Sequence, residues 1–155
     1  MTGRDMDRWL GDGGMALVGA LGASLQRYGV DGEDLGWVEG EFSPTALACN
    51  PHGLVQAGVH ATVLDAAMNF AINAALGAGE RAEATLEIGT ELLRAARQGT
   101  SYVLRGDVVR LTRRIAFAEA RVVDGDGRPI SRATATFLVR RAEGGSAEVG
   151  GRDLA

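Results

Sequence analysis

The sequence predicts an α+β fold: a curved antiparallel β-sheet wrapped around one long central helix, with an extra helix near the N-terminus. Three features carry that expectation. Residues 50–76 read NPHGLVQAGVHATVLDAAMNFAINAAL, a Pro/Gly turn followed by a nearly all-apolar helical run. From Ala84 to Arg140 the apolar period becomes two, interrupted only by short turn signals. The long helix precedes a block of consecutive strands instead of alternating with strands, which is the α+β order.

Taken in order, residues 1–11 are charged and mixed, and are expected to fray. Leu17, Leu21, Leu25 and Tyr28 then recur at helical spacing beside Val18, and Gly29 supplies a terminating glycine, so the spacing predicts a first amphipathic helix. Trp37 to Phe42 alternates as a short strand closed by Ser43-Pro44. In the central helix Val59, Val63, Ala67, Phe70 and Ala74 make one apolar stripe and Leu64, Met68, Ala71 and Ala75 a second. Apolar side chains on most of its circumference place that helix inside. It stops at Gly77-Ala78-Gly79, which no strand leads into and no GK[ST] follows, so these glycines are not a phosphate loop.

Beyond Ala84, Leu86, Ile88, Thr90 and Leu92 fall on one face and Thr85, Glu87, Gly89 and Glu91 on the other, the pattern of a strand with one covered face. Strands near Ser101–Leu111, Ile115–Val123 and Pro129–Arg140 follow, the last two joined by the hairpin signal Asp124-Gly125-Asp126-Gly127. The domain reading is an N-terminal helical segment over 1–36, one domain over 37–141, and a small, polar, glycine-rich tail over 142–155 expected to be disordered.

Composition narrows the function. A chain of 155 residues suits a single domain with its own core. A net charge of −4 gives no electrostatic reason to expect nucleic acid, and no basic run suits an anionic membrane. All 16 basic residues are arginine, so lysine Schiff-base chemistry is excluded and forked guanidiniums are the fixed cations. The single cysteine, Cys49, forbids an internal disulfide and fits a reducing cytoplasm. No apolar run reaches the roughly 18–20 residues that span a bilayer, so a soluble, cytoplasmic protein is expected.

Candidate chemistry gathers on one face of the central helix. Thr62, Asp65, Asn69 and Asn73 lie together there with Gly58 and Ala61. A lone carboxylate on an apolar helix needs a reason, because burying it costs several kcal/mol unless it is paired. Either the face is simply solvated, or Asp65 acts; periodicity does not separate the two. The turn before the helix adds a second element. A thioester or ester carbonyl needs donors at its developing oxyanion, and the unpaired N–H groups opening a helix supply them. Gln56-Ala57-Gly58 occupies that opening, and Asn50 and Gln56 offer side-chain donors.

Ala57 and Asp65 are eight residues apart, about 12 Å along a helix. Both therefore reach one carbonyl only if they come from different chains, which a two-fold dimer provides. Arg94, Arg97, Arg113 and Arg114 flank strand ends, either as solvated charge or as a clamp for the phosphates of a nucleotide-bearing substrate. His52, His60 and Cys49 read as a loop histidine, a packed or capping histidine and a small buried hydrophobe; no metal site is expected from them.

Together these positions resemble the hotdog-fold acyl-CoA thioesterases, in the PaaI-like, phenylacetate-pathway branch. The resemblance runs from about Val38 to Val139. Its core is an asparagine, a glycine-containing turn, [His/Gln]-Gly-Gly, and an aspartate seven residues after the second glycine, matched by Asn50, Gln56-Ala57-Gly58 and Asp65. TLEIGTELLRAARQG resembles the family's following strand and puts Thr85 at its hydroxyl position and Arg94 in its Leu-Arg-Pro motif. The departures are Ala57 for the first motif glycine, Ala95 for the proline, and Thr112-Arg113-Arg114 for the usual Gly-Arg.

The resemblance implies hydrolysis of an aryl- or medium-chain acyl-CoA, with Asp65 as base or nucleophile and Thr85 as its hydroxyl partner. Asn50, Gln56 and the Ala57 N–H would bind the oxyanion. Gly58, Met68, Asn69, Arg94, Arg113 and Arg114 are the expected substrate contacts. It further implies a homodimer paired into a tetramer, and no cofactor beyond the CoA of the substrate. The competing expectations are a non-catalytic hotdog module that binds acyl-CoA, and a hotdog enoyl-CoA hydratase or dehydratase.

Overall fold

The computed structural model describes residues 4–143. Its centre is helix α2, Ala57–Ala75. Small residues recur through it, and Val63, Leu64, Ala67, Met68, Ala71, Ile72 and Ala74 are fully enclosed, so the helix forms the middle of the core as its two apolar stripes predict. Around it bends one six-stranded sheet, antiparallel throughout, in the order β1-β2-β4-β5-β6-β3. The strands are β1 Ala23–Val30, β2 Gly36–Phe42, β3 Arg81–Leu92, β4 Tyr102–Leu111, β5 Ile115–Val123 and β6 Pro129–Arg140. Because α2 connects β2 to β3, the chain crosses the concave face and leaves β3 as a free edge.

The helix sits unusually close to the sheet. A Cβ on Gly106 of β4 would lie 2.6 Å from the Ala67 carbonyl oxygen, and one on Gly36 of β2 would strike the Ala71 carbonyl. Only glycine lets the two backbones approach this far.

The N-terminal region differs from the sequence expectation. The helical spacing of Leu17, Leu21, Leu25 and Tyr28 does not make one helix: α1 is only Ala16–Leu21, and it ends at Gly22 with φ 104°. A side chain on Gly22 would collide with the Ser43 carbonyl. The chain therefore turns there and continues as β1, with Ala23 and Leu25 buried on alternate positions. Gly29, expected to stop a helix, lies within β1 beneath the Trp37 ring. Residues 23–30, placed by sequence in the helical segment 1–36, thus belong to the sheet.

The expected fraying is also overturned for residues 4–11. The Arg4 N–H donates to the Ala74 carbonyl, the Met6 N–H donates to the Tyr28 hydroxyl at 2.9 Å, and Met6 is buried. Of the tail expected over 142–155, residues 144–155 lie outside the described ones.

Candidate active site

The face of α2 left uncovered by the sheet is the one carrying Asp65. β3 borders it, and the Thr85 hydroxyl on that strand donates to Asp65 Oδ1 at 2.7 Å. Strict alternation puts Thr85 and Ile88 on opposite faces, but a bulge between Thr85 and Glu87 brings the hydroxyl to the helix side while Ile88 still packs on the core. Burial pushes the Asp65 carboxyl above its ordinary range, and the Thr85 hydrogen bond, which favours the ionised form, pulls it partly back. An open groove of about 390 Å³ lies against this pair, lined by Ala61, Thr62 and Asp65 from α2 and by Thr85 to Ile88 from β3. Thr62 contributes no hydroxyl donor to it, because its Oγ1 donates back to the Gly58 carbonyl at 2.9 Å.

The start of α2 is equally defined. The Gln56 N–H donates to the Ala48 carbonyl and the Val55 N–H to the Ala96 carbonyl, which pins the entry of the helix. Gln56 is the N-cap but makes no side-chain cap bond, and no acidic residue lies in the first turn. Ala57 and Gly58 are exposed, and their N–H groups, at the first two helical positions, have no intrahelical acceptor. This leaves the positive end of the helix dipole uncompensated and accessible. Asn50 builds the preceding turn: its Oδ1 accepts from the N–H groups of His52, at 2.9 Å, and Leu54, at 3.1 Å.

A carboxylate with raised proton affinity, a hydroxyl that orients it and a bare helix start are the parts an acyl-transfer site requires. The family model described as "Thioesterase superfamily" matches residues 52–131, which include both the helix start and the Asp65–Thr85 pair. The chain belongs to the thioesterase superfamily. A thioesterase from Haemophilus influenzae shares 19% identity over 94% of this chain and 99% of its own, with a TM-score of 0.76, and has the same hotdog fold. A phenylacetic acid degradation-related putative thioesterase from Ralstonia eutropha shares 27% identity over 87% of this chain and 99% of its own, at a TM-score of 0.71. A hypothetical thioesterase from Streptococcus pneumoniae, solved with coenzyme A, covers 70% of this chain and 81% of its own at 17% identity and a TM-score of 0.62. No curated protein matches the sequence.

Within this thioesterase frame the remaining expected residues separate. Met68 is fully buried, so it does not line the groove. Asn69 stays on the Asp65 face and accepts, through Oδ1, from Asn73 Nδ2 at 3.0 Å. Asn73 in turn anchors β3 by accepting the Ala82 N–H at 3.0 Å.

Arg94 donates to the Pro129 carbonyl at 2.9 Å, at the β5–β6 hairpin end of the sheet. Arg113 and Arg114 lie at the other end, in the β4–β5 turn, where their carbonyls accept from Arg141 and Val139. One protomer therefore does not gather these arginines into a single clamp.

His60 points away from Asp65, into the core. Its Nδ1 is 2.8 Å from the buried Ser131 hydroxyl, its ring meets Phe42 edge-on, and burial lowers its proton affinity. It is a packed histidine, and the hydratase arrangement has no support from it. Cys49 is a half-buried free thiol. Among the described residues no group of three or more His, Cys, Asp or Glu side chains is placed to hold a metal ion, and no helix is long and apolar enough to cross a membrane.

Sequence reasoning missed the contribution of the N-terminal segment. Met6, Trp9 and Met15 stand along the open face of α2 opposite β3. The only sequence signal for this was the presence of large apolar residues in an otherwise charged stretch.

Proposed function

We propose that this protein hydrolyses an acyl-CoA thioester in the cytoplasm, as a homodimer that pairs into a tetramer, in the manner of the PaaI-like branch. The observation that carries the proposal is the Asp65–Thr85 pair, a half-buried carboxylate held at 2.7 Å by a hydroxyl in an open groove. The coenzyme A in the Streptococcus pneumoniae structure, and acetyl CoA in a Streptococcus mutans one of the same fold, motivate the substrate class.

In this reading Asp65, ionised, takes a proton from water as the water oxygen attacks the thioester carbonyl, or attacks that carbon directly. Thr85 orients the carboxylate by its hydrogen bond. The negative charge that develops on the carbonyl oxygen is met by the Ala57 and Gly58 N–H groups, which the helix dipole makes strong donors. The C–S bond then breaks, and the CoA sulfur leaves as thiolate and takes up a proton; on the direct-attack route this leaves an acyl–Asp65 anhydride, which water then hydrolyses to release the acid and restore the carboxylate. Gln56 extends the donor set, and Asn50 holds the turn that presents it.

Two copies are required. Along one helix the donors and the carboxylate are separated by about 12 Å. The free edge β3 shows Leu86 at 56% exposure beside the groove, an apolar side chain suited to a second copy. Two-fold pairing along β3 would set the helix start of one subunit against the Asp65 of the other. It would also bring opposite ends of the two sheets together, so that Arg94 of one chain and Arg113 and Arg114 of the other could share the CoA phosphates.

The test is CoA-thiol release from aryl- and medium-chain acyl-CoAs by wild type and Asp65→Asn, with dimerisation measured for both. Loss of a general base predicts a fall of about 10²–10⁴ in turnover with the dimer intact. A wild type that binds these thioesters and releases no thiol would instead mark a binding module, a reading the Ala57 methyl at the helix start favours.

A further inference from the structure

A second cavity, of about 200 Å³, opens on the same face of α2, on the opposite side of Asp65 from the groove. Its floor is Ala66, Asn69 and Phe70, and its outer wall is Met6, Trp9 and Met15 from the N-terminal segment. Asn69 stands one helical turn, about 6 Å, beyond Asp65 on the same face, so the cavity begins where the acyl carbon of a thioester held at Asp65 would lead. Met6, Trp9, Met15, Ala66 and Phe70 give the cavity an apolar side, and Arg4, Asn69, Asn73 and Arg81 a polar one; the Arg4 and Arg81 guanidiniums are held by the Glu80 carbonyl and the Glu83 carboxylate, so the apolar side is the one that suits an acyl group.

The wall is built, not incidental. The Cε3–Cζ3 edge of the Trp9 ring lies against Gly14, where a Cβ would come within 2.6 Å of both carbons, and Gly14 has φ 82°, a conformation that favours glycine. The Arg8 guanidinium sits 4.6 Å over the same ring. Below it the Tyr28 hydroxyl accepts the Met6 N–H and donates to Asp7 at 2.7 Å, while the Tyr28 ring meets Phe70 edge-on at 5.5 Å. The segment is thus tied to both β1 and α2, and Trp9 is held in one place.

We propose that the N-terminal segment selects the acyl group: the cavity between Trp9, Met6 and Met15 and the Ala66–Phe70 face receives the acyl end of the thioester, and the Trp9 ring sets the longest group that fits. This rests on the acyl-CoA reading above. A cavity of about 150 Å³ already holds benzene, so the space takes a single ring or a branched group of similar bulk and rejects long straight chains.

Two readouts separate the two claims. Binding of non-hydrolysable thioether analogues of phenylacetyl-, hexanoyl-, decanoyl- and tetradecanoyl-CoA is measured by calorimetry, and turnover of the matching thioesters by thiol release, for wild type, Trp9→Ala and Met15→Trp. Wild type should favour the two compact groups. Since one methylene in an apolar pocket is worth about 10–200-fold, Trp9→Ala should raise the long-to-compact ratio by at least 10-fold, and Met15→Trp, which narrows the same cavity, should lower binding of the ring analogue.

If Trp9→Ala does not fold, the Met15→Trp result decides. Acyl profiles that are unchanged in folded variants overturn the proposal while leaving hydrolysis standing. An acyl preference that follows Trp9 in binding, without any turnover, upholds the pocket and overturns hydrolysis. A wild type that binds none of the four analogues overturns both.

Discussion

Replacing Gly106 by alanine should loosen the whole central helix and, through it, the site. The added Cβ would stand 2.6 Å from the Ala67 carbonyl oxygen and 2.8 Å from its carbon, where ordinary contact begins at 3.4 Å. The obstacle is backbone in mid-helix, which cannot swing aside as a side-chain end would, so α2 must lift from β4 by about 0.8 Å in a close-packed interior. Ala67 is two residues past Asp65. A lift of that size carried to Asp65 stretches its 2.7 Å bond to Thr85 to at most about 3.5 Å, the outer limit of useful hydrogen-bond length.

Overpacking of this kind costs about 1–3 kcal/mol, and at this chain length each kcal/mol lowers Tm by about 2–4 °C. Urea and thermal unfolding of Gly106→Ala should show that loss, and thiol release should fall further than the stability change explains. Gly125→Ala, in the β5–β6 hairpin with nothing within 4 Å of its Cβ, is the control and should stay within about 0.5 kcal/mol of wild type. A Gly106→Ala protein as stable as this control would refute the close helix–sheet approach on which the reasoning depends.

Two further predictions concern protons. Thr85→Val removes the hydrogen bond that favours ionised Asp65 while leaving the burial that disfavours it, so the acid limb of the kcat/KM profile should move to higher pH; an unmoved limb would mean that Asp65 is not the titrating group. His60 is buried and its proton affinity is lowered in the fold, so the unfolded chain binds the proton first: stability should decline as pH falls from its unfolded value near 6.5, then level off below the folded one. Wild type should lose more stability between pH 7.5 and 5 than His60→Gln does, and equal losses in chemical denaturation would exclude His60 as the source.

Much of this fold was written locally. The apolar circumference of α2, the two-residue period of β4 to β6 and the Asp-Gly hairpin each depend on neighbours in sequence, and each element forms where those neighbours place it. The candidate site was spaced out by the sequence for a related reason: Ala57, Gly58 and Asp65 lie on one helix and Gln56 is its N-cap, and helix geometry fixes their spacing regardless of what surrounds it.

What the sequence left open depended on contacts between distant residues. Leu17, Leu21 and Leu25 share a helical spacing, yet the Ser43 carbonyl packed on Gly22 ends the helix and sends Leu25 into the sheet. Thr85 faces Asp65 because a bulge against β6 reverses the alternation, which no window of β3 alone can reveal. Met68 and Asn69 are adjacent in sequence and were both expected at the substrate, but the fold fully buries the first and not the second. The Trp9 wall arises the same way, from a tyrosine on β1 and a glycine that holds the ring. Local periodicity determines which element a residue joins and how residues on that element are spaced; which face is covered, and by what, is decided only when the chain closes on itself.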